Sequence, residues 1–215
     1  VSLGSPLPQS FYARDSRLVG PELIGCRLVH RLDTGERLIV RISEVEAYLG
    51  DGSDPASHAH PGPTDRNRVM FGPPGRLYAY RSYGIHTCVN VVCEVDGRAA
   101  AVLLRAAEPI AGLEVMGRLR GVEPDAKPAL LTVGPGRLAQ ALGLTLGHDG
   151  TNLLRGALTL HPPTAEAKPI VASGPRVGIT KAPDLPYRFF EETPDSGRPT
   201  EWVSAFRPGK RKQRR

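Results

Sequence analysis

Cysteine is scarce in this 215-residue chain: Cys26, Cys88 and Cys93 are the three, an odd number with no Cys-x-x-Cys pair. That excludes a disulfide framework and fits a reducing compartment. Long apolar runs are missing too. No stretch approaches the ~18–20 residues that a membrane span requires. The opening VSLGSPLPQSFYARD has no basic segment followed by an apolar core, so no secretory leader is expected. Acids are in the minority, with 22 Asp and Glu against 28 Lys and Arg, for a net charge of +6. The chain is therefore expected in the cytoplasm, with a polyanion as partner and no membrane association.

What is present is a folded composition. Hydrophobic residues are 40% and charged residues 23%, which excludes a disordered chain. Glycine (24) and proline (21) are high for a globular protein, implying many turns and few long helices. Of the 28 basic residues 23 are arginine, the side chain suited to bidentate phosphate contacts. Six of the basic residues, four Arg and two Lys, crowd into the last nine residues, RPGKRKQRR. Residues 1–10 read as a flexible lead-in, 11–206 as one domain and 207–215 as a basic tail.

Helical punctuation spans Phe11–Ile24, and period-two alternation then takes over. Cys26–Leu32 and Arg37–Tyr48, joined by Asp33-Thr34-Gly35-Glu36, predict a hairpin. A long Gly/Pro/Asp/His loop runs from Gly50 to Pro63. Leu77–Tyr80, Thr87–Val95 and Ala99–Arg105 predict a three-stranded meander, with Asp96-Gly97 at its second turn. Helices are predicted at Pro109–Leu119 and, opened by Gly134-Pro135-Gly136, at Arg137–Leu142. Short strands are predicted at Leu153–Leu160, Pro169–Ala172, Arg176–Ile179, Tyr187–Phe189 and Trp202–Phe206. The fold class expected is mixed α/β (α+β): a single domain, mostly antiparallel, with short helices and many loops.

Chemistry concentrates in two stretches. In LIVRISEVEAY strict alternation puts Leu38, Val40, Ile42, Glu44, Glu46 and Tyr48 on one face, so two carboxylates follow three aliphatic residues. Burial there disfavours ionisation unless partners are supplied. Alternation alone leaves open which of Glu44 and Glu46 is the reactive acid. In RLYAYRSYGIHTCVNVVCEV, Tyr78, Tyr80 and Tyr83 fall within six residues and Gly84 sets a turn beside Tyr83. A bulky hairpin tip is either packed against another element or used as a wedge between stacked bases. Asn90 and Arg105 interrupt apolar strands and each requires a buried partner or a ligand.

Other chemistries find less support. His58 and His60 form an HxH with Asp54 nearby, but no second cluster supplies closing ligands, and no metal is expected. There is no GxSxG, and the cysteines lie in apolar runs. GPPGR at 72–76 and GPGR at 134–137 lack the phosphate-loop pattern and read as turns, although GPGR could offer one phosphate its backbone N–H groups.

EAYLG, DPASHAHPGPTDRNRVMF, GRLYAYRSYGIHTCVNVV, AVLLRAAEP and GPGRLAQALGL together resemble the alkyladenine (3-methyladenine) DNA glycosylase family, in the family's order and over roughly Phe11–Phe206. The resemblance implies a curved antiparallel sheet and a monofunctional base-excision enzyme. Such an enzyme flips an alkylated or deaminated purine (3-methyladenine, 7-methylguanine, hypoxanthine) out of duplex DNA and hydrolyses its N-glycosidic bond with water. It implies no cofactor. Carried onto matching positions, the water-activating acid falls on Glu46, with Arg105 holding the water or an adjoining phosphate. The base pocket falls on Tyr48, His58, Tyr80 and Asn90, and the intercalating tyrosine on Tyr83. Main chain touching the water falls on Val177, in Arg176-Val177-Gly178. His86 departs from the family, standing where a phenol is usual beside the wedge.

The expected partner is double-stranded DNA containing damaged purines, bound by a monomer. Two other classes compete: a catalytically silent DNA-binding module, and a hydrolase of small nucleosides. Retention of Glu46 disfavours the first, and Tyr83 with the basic tail disfavours the second.

Overall fold

The computed structural model describes residues 3–123, 126–164, 168–194 and 197–204. The basic tail, and the end of the strand predicted at Trp202–Phe206, lie outside the described residues. Eight strands form one sheet: β1 (Arg27–Arg31), β2 (Arg37–Tyr48), β3 (Leu77–Ser82), β4 (His86–Cys93), β5 (Ala100–Ala111), β6 (Leu158–His161), β7 (Ile170–Gly174) and β8 (Arg188–Glu192). Their path is β3-β4-β5-β2-β1-β6, and β8 joins β2 on one side and β7 on the other. All of these pairings are antiparallel. The sheet curls into a half-barrel, and short helices α1 (Gln9–Tyr12), α2 (Ser16–Leu23), α3 (Leu113–Arg120), α4 (Ala129–Thr132) and α5 (Pro135–Ala141) complete a single α+β domain.

The two faces of the sheet have different tasks. One carries the main core, where Leu38, Val40, Ile42, Val89, Val91, Val102 and Leu104 meet Val19 and Leu23 of α2, Met116 of α3 and Leu138 of α5. Each such side chain contributes roughly 1.5–3 kcal/mol on burial. The other face is covered by the 50–76 loop and the segment around Val177, and it holds a cavity.

Both carboxylates reach that second face through a break in the alternation. Against β5, Ile42 pairs with Ala107, Glu44 with Ala106 and Val45 with Leu104. Ser43 is thus an extra residue on β2, and Arg105 an extra residue on β5. One inserted residue reverses the parity of everything after it. Val45, not Glu44, continues the core row of Leu38, Val40 and Ile42. The single face expected for Leu38 through Tyr48 is therefore corrected: Glu46 and Tyr48 leave the core and line the cavity.

Other expectations shift for similar reasons. Pro109 was expected in a helix but lies in β5, opposite Val40 at a register shift where the ladder tolerates a missing N–H. The helix starts only at Leu113. Arg176–Ile179 is not a strand, because its backbone turns inward to meet Glu46. In the segment read as a lead-in, Leu7 N–H donates to Leu160 O (2.8 Å), and the Gly4 carbonyl lies 3.1 Å from His161 Nδ1. Among the described residues no helix is long and apolar enough to cross a membrane.

Candidate active site

The cavity, about 460 Å³, falls within the range of small-molecule sites. Its floor is the second face of four strands: Tyr78, Tyr80 and Ser82 from β3, Cys88 and Asn90 from β4, Ala101, Leu103 and Arg105 from β5, and Glu46 and Tyr48 from β2. Ala56, His58, Arg66 and Met70 form one wall and Val177, Gly178 and Ile179 another. The covering loop leaves β2 at Gly50, where even a Cβ would overlap the Ala99 carbonyl, at 1.2 Å. Only glycine lets the chain turn there.

Glu46 is fully buried as far as solvent is concerned, yet it forms part of the cavity wall. Its Oε2 accepts from the Tyr48 hydroxyl (2.8 Å), and its Oε1 accepts from Val177 N–H (2.6 Å). Arg105 Nη1 stands 3.3 Å from the same Oε1. Burial, then the Glu46 charge, push the Tyr48 phenol well above its ordinary range, so it stays a donor. Burial opposes the Arg105 charge, but Glu46 and Glu44 outweigh it and hold the guanidinium above its usual value. The Glu46 carboxyl is thus engaged by one phenol, one amide and part of one guanidinium.

Glu44 is equally buried but does not line the cavity. Its Oε1 accepts from Arg105 Nε (2.9 Å), Arg188 Nε (2.7 Å) and Ser204 Oγ (2.8 Å), and its Oε2 from Ser204 N–H (2.6 Å). Burial pushes its carboxyl up, but Arg105, Arg188 and Ser204 together take it below the ordinary glutamate value. Glu44 is thus committed to partners away from the cavity.

The aromatic lining is built on β3. Tyr78 and Tyr80 stack with centroids 5.6 Å apart, and the His58 ring meets Tyr80 edge-on at 4.5 Å. His58 Nδ1 lies 3.0 Å from the Tyr78 hydroxyl, and Asn67 Nδ2 donates to the His58 carbonyl (2.7 Å), fixing the loop. Burial, then the Arg66 charge, lower the His58 pKa, favouring the neutral ring. Burial pushes the Tyr78 phenol up to about 12. Asn90 Nδ2 donates to the Tyr78 carbonyl (3.2 Å) from within the β3–β4 pair.

Tyr83 sits at the mouth of the cavity on the β3–β4 turn and is 86% exposed. Both central residues of that turn have positive φ, Tyr83 at 49° and Gly84 at 74°, with Ile85 N–H donating to Ser82 O. This is the type I′ pattern, which suits Gly84 and strains a tyrosine. Neighbouring Ile85 is 71% exposed. His86 instead packs on Gly136 of α5, where a Cβ would approach within 3.0 Å.

All eight residues singled out from the sequence (Glu46, Tyr48, His58, Tyr80, Tyr83, Asn90, Arg105 and Val177) therefore line one cavity. Sequence reading missed several neighbours. Tyr78 was named in the tyrosine cluster but not assigned to the pocket, although it shares the strand face of Tyr80 by simple alternation. Arg66, 5.5 Å over the Tyr80 ring, lies in an aperiodic loop with no such signal. His60 is exposed and apart from Glu46, and among the described residues no group of three His, Cys, Asp or Glu is placed to hold a metal.

Comparison with known proteins identifies the family. The family model for methylpurine-DNA glycosylase (MPG) matches residues 10–194. A Methanoculleus marisnigri protein named "Putative 3-methyladenine DNA glycosylase" is 50% identical over 188 residues, 86% of this chain and 94% of that protein. Proteins of the same name from Rhodopseudomonas palustris (50% identical, 87% of this chain and 85% of theirs) and Carboxydothermus hydrogenoformans (44%, 86% and 94%) are similar over the same extent. With a match across most of its length and half of the aligned residues identical in such relatives, the chain belongs to the methylpurine-DNA glycosylase family and is a DNA glycosylase, a hydrolase.

Proposed function

We propose that this enzyme extrudes alkylated or deaminated purine nucleotides, 3-methyladenine, 7-methylguanine and hypoxanthine among them, from duplex DNA into the cavity and hydrolyses their N-glycosidic bonds. The observation that carries the reading is Glu46. It is a buried carboxylate on the wall of an aromatic cavity, anchored by Tyr48 and Val177 and faced by Arg105.

In this reading Glu46 takes a proton from water as the water oxygen bonds to C1′ of the sugar. The C1′–N bond breaks and its electron pair leaves with the base. Alkylation has already made 3-methyladenine and 7-methylguanine cationic, so they depart neutral and need little acid assistance, whereas neutral hypoxanthine leaves as its anion and takes up a proton from solvent. The Glu46 anion also steadies the cationic sugar, and its preset donors avoid reorganisation during the step. Tyr48, Tyr80 and His58 grip the electron-poor base with their faces and edges. Asn90 reads the purine edge, and Arg105 holds the water or the adjoining phosphate. Tyr83, with its exposed ring above the mouth, fills the gap left in the stack. Among the described residues no lysine lines the cavity, so a covalent amine step on the sugar is given no nucleophile by them. The enzyme acts as a monomer.

Release of base from methylated duplex, set beside release from the matching free nucleoside, tests the reading. Excision from the duplex alone is expected. Hydrolysis of the nucleoside at an equal or greater rate would identify a small-substrate hydrolase, and binding without release a silent DNA-binding protein.

A further inference from the structure

We infer that Glu44 is a positioning residue that draws the Arg105 guanidinium away from Glu46, so that the reactive carboxylate keeps a lone pair free to take the proton of water. The inference rests on the assignment of Glu46 as the water-activating group.

Two buried acids and two buried arginines form one neutral cluster: Glu44, Glu46, Arg105 and Arg188. Arg105 divides itself unequally within it. Its Nε bonds Glu44 at 2.9 Å, its Nη2 reaches Ser204 Oγ at 3.3 Å, and only Nη1 is left for Glu46, at 3.3 Å. Arg188, from the strand that pairs with β2 at these acids, bonds the same Glu44 oxygen at 2.7 Å. A guanidinium paired fully with Glu46 would occupy its lone pairs and lower its proton affinity. Glu44, outside the cavity, prevents that pairing. The charged or titratable groups around Glu46 are Tyr48 on its own strand, Tyr80 on β3, Arg105 on β5 and Arg176 beside Val177. Arg105 is the one cation among them bound to both acids.

Removing either outer member of the cluster should move Glu46 in opposite directions. In Glu44→Gln the Arg105 charge falls on Glu46 alone. The acid limb of the single-turnover excision profile should move to lower pH by about one unit, and the plateau should drop about tenfold. In Arg188→Gln two carboxylates compete for Arg105, and the acid limb should move to higher pH. The double variant Glu44→Gln/Arg188→Gln restores neutrality and guards against loss of folding. Its melting temperature should recover relative to Glu44→Gln, while its acid limb stays below that of the parent. Limbs that remain at the parent position in all three variants, with rates following stability alone, would overturn the inference while leaving the glycosylase reading intact. If the parent excises and Glu46→Gln does so equally well, the reading fails and the inference with it.

Discussion

Arg176 and Asp54, 122 residues apart, form a bidentate ion pair with no exposed side-chain surface, Nη1 to Oδ2 at 2.6 Å and Nη2 to Oδ1 at 2.7 Å. Arg176 Nη1 also donates to the Ala47 carbonyl (3.0 Å), and its guanidinium lies 4.6 Å over the Tyr48 ring. Asp54 in turn accepts from Leu49 N–H and Ala56 N–H, pinning the loop that carries His58. The residue after Arg176 is the one whose N–H holds Glu46. One pair thus fixes both walls of the cavity.

Asp54→Asn strands a buried guanidinium and should cost about 3–5 kcal/mol of stability. For a domain of this size that lowers the melting temperature on the order of 10 °C. Calorimetry checks that shift, and single-turnover excision below the transition should also slow, since the segment whose Val177 N–H holds Glu46 loses its anchor. A melting shift under about 2 °C with an unchanged rate would show the pair to be dispensable.

Tyr83 is strained for a reason that a substitution can expose. A left-handed tyrosine costs roughly 1–2 kcal/mol, and asparagine tolerates the conformation better. Tyr83→Asn should therefore raise stability by up to about 1 kcal/mol while lowering excision from well-paired duplex more than from a mismatched site, where extrusion is easier. Equal losses on both substrates would make Tyr83 a packing residue.

Asn90, proposed to read the purine edge, has no room to retreat, being only 4% exposed and tied to the Tyr78 carbonyl. Asn90→Ser should raise release of 7-methylguanine relative to hypoxanthine, because the guanine amino group no longer meets the amide. The ratio of the two single-turnover rates decides it, and an unchanged ratio removes Asn90 from specificity.

Glu44 gives the fold a pH dependence of known sign. Its proton affinity in the folded state lies below the ordinary glutamate value of 4.5, the charges of Arg105 and Arg188 outweighing burial. Its contribution is therefore complete above about pH 4.5 and lost as pH falls through the lower, folded value. Melting temperatures of the parent should fall on that descent, and Glu44→Gln should flatten it. Parallel curves for the two proteins would contradict this.

Much of this was legible in the sequence where the signal is local. The β1–β2 and β4–β5 turns sit at Gly35 and Gly97, both with positive φ, and alternation between such turns gave the meander. The site residues were found through motif resemblance, and alternation supported Tyr80 and Asn90. The two bulges were not legible. Ser43 is placed by its bond to the Trp202 carbonyl, 159 residues distant, and Arg105 by acids on another strand. Tertiary partners of that kind leave no periodic trace. For the same reason Arg188 and Ser204, which complete the Glu44 site, went unseen.

Glu46→Gln tests the central claim most directly. The amide keeps the shape of the side chain and its acceptor to Val177, but loses the base and the anion facing the sugar. The variant should fold and bind lesion DNA, yet release 3-methyladenine or hypoxanthine at least about a hundredfold more slowly in single turnover. Release near the parent rate from Glu46→Gln, with Glu44→Gln inactive, would contradict the assignment and move the catalytic carboxylate two residues along β2.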